Sequence, residues 1–297
     1  MASFQNIALL GKGLVGSFVL QELVNSGFSV TLLSRSEGKA DDLPAGVKLI
    51  AVDYNSQENL ESALQGQDVV VSTISGAAVP SQKVIIDAAI KAGVKRFIPS
   101  DFGGVSTDPA AAHLPQNIPF VEIQKYLRSK ASEIEWTIFA VGAFTDFVVN
   151  SPLFFDWENK SAELWEKGNT RLSTTSIAGA ARAIAGALKN REETKNRVLY
   201  VHEMVITQAQ VLELAKKYSP GVEWKISYVE DSDAELERLI KKFTEESSLP
   251  NLLAVLKGTA LSGKYHSSYD KVDNNLVGLT ELTEDVLDGM FARQFKQ

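Results

Sequence analysis

The feature that most constrains this chain is Gly11-Lys12-Gly13-Leu14-Val15-Gly16, a G-x-G-x-x-G run directly behind the apolar stretch Ile7-Ala8-Leu9-Leu10. That spacing suits a strand that ends in a tight turn and a helix that starts close against the sheet. Gly11 permits the turn, Gly13 lets the backbone approach a pyrophosphate, and Gly16 lets the helix sit close. Leu14 and Val15 open the helix, whose unpaired N–H groups and positive dipole end suit phosphate. Lys12 is a helper at the same turn. A tight turn with no ligand uses the same residues, so the surroundings must decide.

Those surroundings alternate short apolar runs with amphipathic segments up to about residue 141. The pattern is that of βαβ units in a parallel sheet. Strands are predicted at 7–10, 30–33, 47–50, 68–71, 96–98 and 136–139, with the helix after the glycine run ending at Gly27. Further helices are expected near 177–189, 207–218, 231–246 and 283–294. The expected fold is α/β: a doubly wound parallel (Rossmann) sheet with a smaller, mostly helical C-terminal substrate lobe. Residues 1–147 form the dinucleotide-binding domain in this reading. Residues 148–297 supply the remaining sheet strands and the lobe, and no linker separates the two, so they pack as one unit.

The end of the second strand selects the dinucleotide, because an acidic residue there grips a ribose 2′-hydroxyl and repels a 2′-phosphate. This chain has Ser34-Arg35-Ser36, with Lys39 nearby. Arginine can hold the 2′-phosphate through charge-assisted bonds, with both serines as donors, which favours NADP(H). A solvated loop position is the other role open to Arg35. Asp53, after the third strand, is either an adenine contact or a solvated carboxylate.

Composition narrows the remaining classes. A net charge of −7 and a pI near 5.2 leave no concentrated basic surface for nucleic acid. The absence of cysteine removes thiolate metal sites and cysteine nucleophiles, and three isolated histidines have no metal-ligand spacing. No apolar run reaches the ~18 residues of a membrane span, and the N-terminus lacks a leader pattern. A cytoplasmic location is expected.

Asp68-Val69-Val70-Val71-Ser72-Thr73-Ile74-Ser75, then Pro80-Ser81-Gln82, then the run from Ala88 through Ile98-Pro99-Ser100-Asp101-Phe102-Gly103, carry a resemblance. With the glycine turn, Arg35 and Trp136-Thr137, this stretch resembles the isoflavone-reductase-like group of the NmrA-like family. That group includes the pinoresinol-lariciresinol and phenylcoumaran benzylic ether reductases and belongs to the atypical short-chain dehydrogenases. The likeness covers about residues 4–147 and runs more weakly, toward fungal members, to about residue 230. It implies NADPH across the sheet, Thr73, Ile74 and Ser75 beside the cofactor, and the Gly142–Phe144 turn near the nicotinamide. Ser100, after the fifth strand, joins that set as a cofactor contact or a weak catalytic candidate.

Family reductases usually carry a lysine at the start of the helix after the Pro-Ser-Asp-Phe-Gly loop, and the resemblance puts Phe120 at that place. A phenyl ring can neither give nor take a proton. Lys125 is five residues on, turned about 140° from that face of a helix, whereas Gln124 shares the face and could orient a substrate. His113, in the preceding loop, is of a residue type suited to proton transfer, but a surface loop histidine with no chemistry is the better reading, since nothing in the sequence orients it. Asp101, Tyr126, Asp146 and His202 complete the candidates. Phe144, Phe147, Phe154, Phe155, Trp157 and Trp165 either line a pocket for an aromatic ligand or fill the core between lobe and sheet. The leading expectation is an NADPH-dependent reductase of an aromatic or secondary-metabolite-like molecule. The alternatives are a redox-neutral isomerase, cyclase or dehydratase, and a non-catalytic NADP(H) sensor acting through a protein partner.

Overall fold

The computed structural model describes residues 3–35, 43–149, 151 and 153–295. Its centre is a seven-stranded parallel sheet. Six strands come from the first half: β1 (Asn6–Leu10), β2 (Ser29–Ser34), β3 (Lys48–Ala51), β4 (Val69–Ser72), β5 (Arg96–Ile98) and β6 (Glu135–Ala140). All six strand predictions fall on them. The seventh, β10 (Arg197–Tyr200), returns from the second half and pairs parallel to β6. The order β10-β6-β5-β4-β1-β2-β3 runs outward from β1 in both directions, so the strand order reverses between β1 and β4. At such a reversal the connecting loops diverge and leave a crevice at the carboxyl ends of the strands.

Alternation along the strands explains the layers. Ile7 and Leu9 face one side with Val19, Leu20 and Leu23 of α1 (Leu14–Asn25) and Ile184 and Leu188 of α5 (Ile177–Lys189). Ala8 and Leu10 face the other, with Ile85 and Ile86 of α3 (Gln82–Lys91) and Ile123 and Leu127 of α4 (Ile118–Ser129). Because both faces are covered, these strands are apolar at almost every position, which is why they stood out as runs.

Charge is buried at the opposite, amino-terminal end of the sheet. The fully buried Arg96 guanidinium donates to Glu135 Oε2 at 2.9 Å, to Thr194 Oγ1 at 2.9 Å and to the Arg191 carbonyl at 2.6 Å. Arg191 donates to Glu135 Oε1 at 2.8 Å, and the Phe4 ring lies 5.1 Å from one guanidinium and 4.7 Å from the other. This cluster ties β5, β6 and the segment after α5 into one unit.

The lobe is built over the carboxyl edge. Strands β7 (Ala143–Phe144), β9 (Leu172–Thr175) and β11 (Met204–Ile206) form a small sheet in the order β11-β9-β7. A pair, β8 (Ser161–Leu164) and β12 (Lys225–Tyr228), lies beside it. Its helices include α7 (Gln208–Tyr218), α8 (Ser232–Glu245) and α11 (Glu284–Phe295), each at its predicted place. Another helix, α9 (Leu249–Leu261), was not foreseen, because Pro250 in its first turn and Gly258 inside it interrupt the helical pattern. Among the described residues no helix is long and apolar enough to cross a membrane.

Candidate active site

The glycine turn sits at the sheet's reversal point as one wall of a cleft. Gly11 has φ +91°, a conformation open to glycine at little cost. Gly16 is held by contact: a Cβ there would lie 2.3 Å from the Gly11 carbonyl oxygen and 2.6 Å from Thr73 Oγ1. Gly13 differs, since its φ of −79° suits any residue and a Cβ would meet no protein atom within 4 Å. The requirement at Gly13 is therefore space on the cleft side. Among the described residues no side chain caps the start of α1 at Gly13, which leaves the N–H groups around Leu14 and Val15 without a described side-chain acceptor. Leu14 is itself exposed and Val15 partly buried. A helix start of this kind fits a phosphate group.

The cleft has a volume of about 460 Å³ and is lined by Gly11, Lys12, Gly13, Ser34, Arg35, Tyr54, Thr73, Ile74, Ser75 and Ala78. It brings together eight of the positions singled out from the sequence. Ser36 and Lys39 lie outside the described residues. Thr73 Oγ1 is 2.9 Å from the carbonyl oxygens of both Leu10 and Gly11, so it locks the end of β4 to the glycine turn. Tyr54, missed in the sequence, donates its hydroxyl to the Leu33 carbonyl at 3.1 Å beside Arg35. Burial pushes its phenol up, and the Arg35 charge partly opposes that. Asp53 does not line the cleft; its Oδ1 accepts the Asn55 backbone N–H at 2.9 Å.

A second cavity, of about 340 Å³, opens on the same edge beyond β5 and β6. Gly103, Gly104 and Val105 follow β5; Gly142, Ala143, Phe144 and Phe147 follow β6; Leu172 starts β9. Leu253, Leu256 and Ala260 come from the unforeseen α9, and Ser151, Leu153 and Ser267 complete the described lining, which carries no ionisable side chain. Phe144 and Phe147 meet edge to face, with centroids 6.2 Å apart. Gly142 has φ +71°, and a Cβ there would lie 2.0 Å from the Ser173 carbonyl oxygen, so β9 packs against bare backbone.

The rest of the aromatic stretch is core. Phe154, Phe155, Trp157 and Trp165 are buried in the lobe, where Trp224 and Phe291 join them. Phe144 and Phe147 therefore face the cavity while their four aromatic successors hold the lobe together.

Loop shape around the cavity depends on buried polar groups. Gln124 is not in the lining: its Nε2 donates to Asp101 Oδ2 at 2.7 Å and to the Ser106 carbonyl at 3.1 Å. Burial pushes the Asp101 carboxyl up, although hydrogen bonds from Ser106, Gln124 and the Gly103 N–H oppose this. The pair shapes the Gly103–Gly104 turn. Tyr269, without any local signal in the sequence, accepts the Gly142 N–H at 3.2 Å and donates to the Gly104 carbonyl at 3.0 Å, bracing two lining segments from behind.

The remaining candidates are not brought to either cleft. Ser100 donates its hydroxyl to the Ile74 carbonyl, and its own N–H is taken by Gln82 Oε1 at 2.7 Å. It links the two carboxyl-edge loops without lining the first cleft. Phe120 is partly buried in the first turn of α4 and lines neither cavity, while His113 and Lys125 are exposed. Tyr126 bonds Asp87, which pushes its phenol to about 12. Asp146 accepts the Ile177 N–H at 2.8 Å at the start of α5. His202 pairs with Ser173 at 2.9 Å, and burial lowers its pKa.

Comparison with known proteins places this geometry. A family described as NAD(P)H-binding matches residues 11–191, more than half of the chain. The oxidoreductase aprR of Aspergillus flavus is 37% identical over 207 residues, 68% of this chain and 69% of that protein. The isoflavone reductase homolog P3 of Arabidopsis thaliana is 31% identical over 157 residues, 49% of this chain and 50% of its own. A solved isoflavone reductase superposes with a TM-score of 0.75 at 22% identity, covering 97% of this chain and 100% of that one. An NADPH-dependent quinone oxidoreductase from Escherichia coli, complexed with NADPH, gives 0.72 at 21% identity, covering 97% and 99%. At those identities the two structures speak for the fold, and with the sequence matches they settle the family: the chain belongs to the NmrA-like, isoflavone-reductase-like group of NAD(P)H-binding oxidoreductases.

Proposed function

We propose that this protein is an NADPH-dependent reductase of a neutral, aromatic small molecule. The carrying observation is the pairing of two clefts on one sheet edge: a glycine turn with Arg35, and an apolar cavity with Phe144 and Phe147 in its wall. Gly11, Gly13, Gly16 and the uncapped start of α1 are suited to the pyrophosphate, and Arg35 with Ser34 to the 2′-phosphate. Bound NADPH supplies the hydride. The chain orients the acceptor and keeps water from it through an apolar wall.

The lining without an ionisable group supports this reading over an isomerase or dehydratase, which must move protons at carbon and needs a base within reach. A hydride acceptor needs orientation first, and the one proton that balances the transfer can come from solvent water at the cavity's open side. The same lining also favours a second reading, an NADP(H) sensor that binds and does not turn over, acting through a protein partner.

Calorimetry with NADPH and NADH separates these claims from the cofactor claim. Arg35→Ala is expected to weaken NADPH binding by about 1.5–3 kcal/mol, roughly 10- to 150-fold, as the loss of a charge-assisted contact requires. NADH should change little. NADPH oxidation against aromatic ketones, enones and benzylic ethers then tests turnover. Binding without turnover selects the sensor, and no NADPH binding sinks the proposal.

A further inference from the structure

A third cavity, of about 400 Å³, has Arg171, His202, Tyr269 and Glu281 in its wall. Hydrogen bonds tie its His202 to the wall of the apolar cavity. The ring is 6% exposed, and its Nδ1 lies 2.9 Å from the Oγ of Ser173, a fully buried residue. Ser173 Oγ accepts the Tyr269 N–H at 3.0 Å. Among the described residues the Ser173 hydroxyl proton has no acceptor other than His202 Nδ1. The hydroxyl therefore donates, and the neutral imidazole carries its own proton on Nε2.

Ser173 in turn meets the apolar cavity at several points. Its N–H donates to the Ser267 carbonyl at 2.9 Å, and its carbonyl packs against the bare backbone of Gly142. Tyr269, held by its N–H on Ser173 Oγ, braces Gly104 and Gly142 with its hydroxyl. Gly104, Gly142 and Ser267 all line the apolar cavity. We propose that His202 is a positioning residue for substrate: its Nδ1 lone pair holds Ser173 and Tyr269, and through them the Gly104 and Gly142 backbone, in the arrangement that binds. This rests on reading the apolar cavity as the substrate site.

Protonation undoes the arrangement. Once Nδ1 carries a proton it donates to Ser173 Oγ, and the serine's own proton, sealed from water, is left without an acceptor. Nε2–H meanwhile carries charge 4.0 Å from Glu281 Oε1. The groups facing the ring are Glu281, which favours the proton, Arg171, which opposes it, and the Tyr269 ring stacked at 6.5 Å; Asp270 and Glu284 line the same cavity. Burial outweighs Glu281 and holds the imidazole below its ordinary value near 6.5. Substrate affinity is thus full above that ordinary value and falls as pH drops through the lowered one.

Heteronuclear NMR of the His202 ring nitrogens and of the Gly104, Gly142 and Tyr269 amides, from about pH 8 to about pH 5, tests this beside acetophenone titrations at saturating NADP+. The neutral ring should show its proton on Nε2. As it titrates, the three amides should shift and acetophenone should weaken roughly three- to tenfold, the range of one neutral hydrogen bond, all with the midpoint of the ring. His202→Phe, which lacks the acceptor, should bind as weakly at high pH as wild type does at low pH. His202→Asn, whose carboxamide oxygen accepts without titrating, should restore most of that binding and abolish the step. His266→Asn should keep the step, although the His266 ring lies 5.3 Å from Tyr269. A histidine with a purely structural role would lower the melting temperature of both His202 variants and give no affinity step at its own midpoint. A neutral ring protonated on Nδ1, amides that stay fixed while the ring titrates, or a step that survives in His202→Asn overturns the positioning role and leaves the cavity a binding site. If acetophenone does not bind the wild type, or if Leu256→Trp leaves its binding unchanged, the cavity reading fails and takes the proposal with it.

Discussion

Gly16→Ala and Gly13→Ala should both abolish tight NADPH binding, and only the first should damage the fold. At Gly16 the new methyl group would lie 2.3 Å from the Gly11 carbonyl oxygen and 2.6 Å from Thr73 Oγ1, so α1 must move off the sheet. Overpacking of this kind costs about 1–3 kcal/mol of stability. On the proposed seating of the pyrophosphate at this turn, its displacement would remove about two charge-assisted contacts of about 1.5–3 kcal/mol each, on the order of 100- to 10,000-fold in affinity. At Gly13 the backbone already suits alanine and the methyl meets no protein atom within 4 Å. Its melting temperature should match wild type while NADPH affinity falls by a similar factor, because the methyl takes the space of the phosphate. Thermal melts beside calorimetry read both quantities. A Gly13→Ala protein that binds NADPH normally would show that the phosphates do not lie at this turn.

The second large effect is expected far from either cleft. Glu135→Ala should cost about 3–5 kcal/mol, the range for removing one partner of a buried ion pair. It leaves the fully buried Arg96 without its carboxylate and beside a second guanidinium, Arg191. Arg96→Met should cost less, since Glu135 keeps Arg191 and no buried charge is left without its partner. Urea denaturation of both variants gives the order, and the reverse order would refute the account.

The same cluster contributes to acid sensitivity. Burial raises the Glu135 carboxyl, but hydrogen bonds from Arg191 and Arg96 outweigh it and hold the group below the ordinary carboxylate range. A depressed folded pKa means that its stabilisation is fully present above the unfolded value, near pH 4.3 for glutamate. It is lost as pH falls through the lower folded value. Glu135→Ala should therefore show a flatter loss of urea stability than wild type as pH falls below about 4.

How much of this was legible beforehand follows from how local each feature is. Strands buried on both faces read as apolar runs, and the glycine turn is six consecutive residues whose steric demands are met by one strand and one helix. Arg35 could be singled out because its place at the end of β2 fixes what it can reach. Those features, and the family resemblance they support, were determined by the sequence alone.

The cavity was decided only by tertiary structure. Its wall joins loops after β5 and β6 to α9 and Ser267, segments separated by more than a hundred residues, and α9 was hidden by Pro250 and Gly258. Two phenylalanines of one aromatic stretch went to different fates, Phe147 to the cavity and Phe154 to the core, because packing partners select the side a ring faces. Gln124 shows the same limit: helical spacing placed it near Phe120, but a buried Asp101 on another loop claimed its amide. Local sterics write themselves into a few neighbouring residues, whereas a pocket is a property of distant segments meeting, and only the folded chain brings them together.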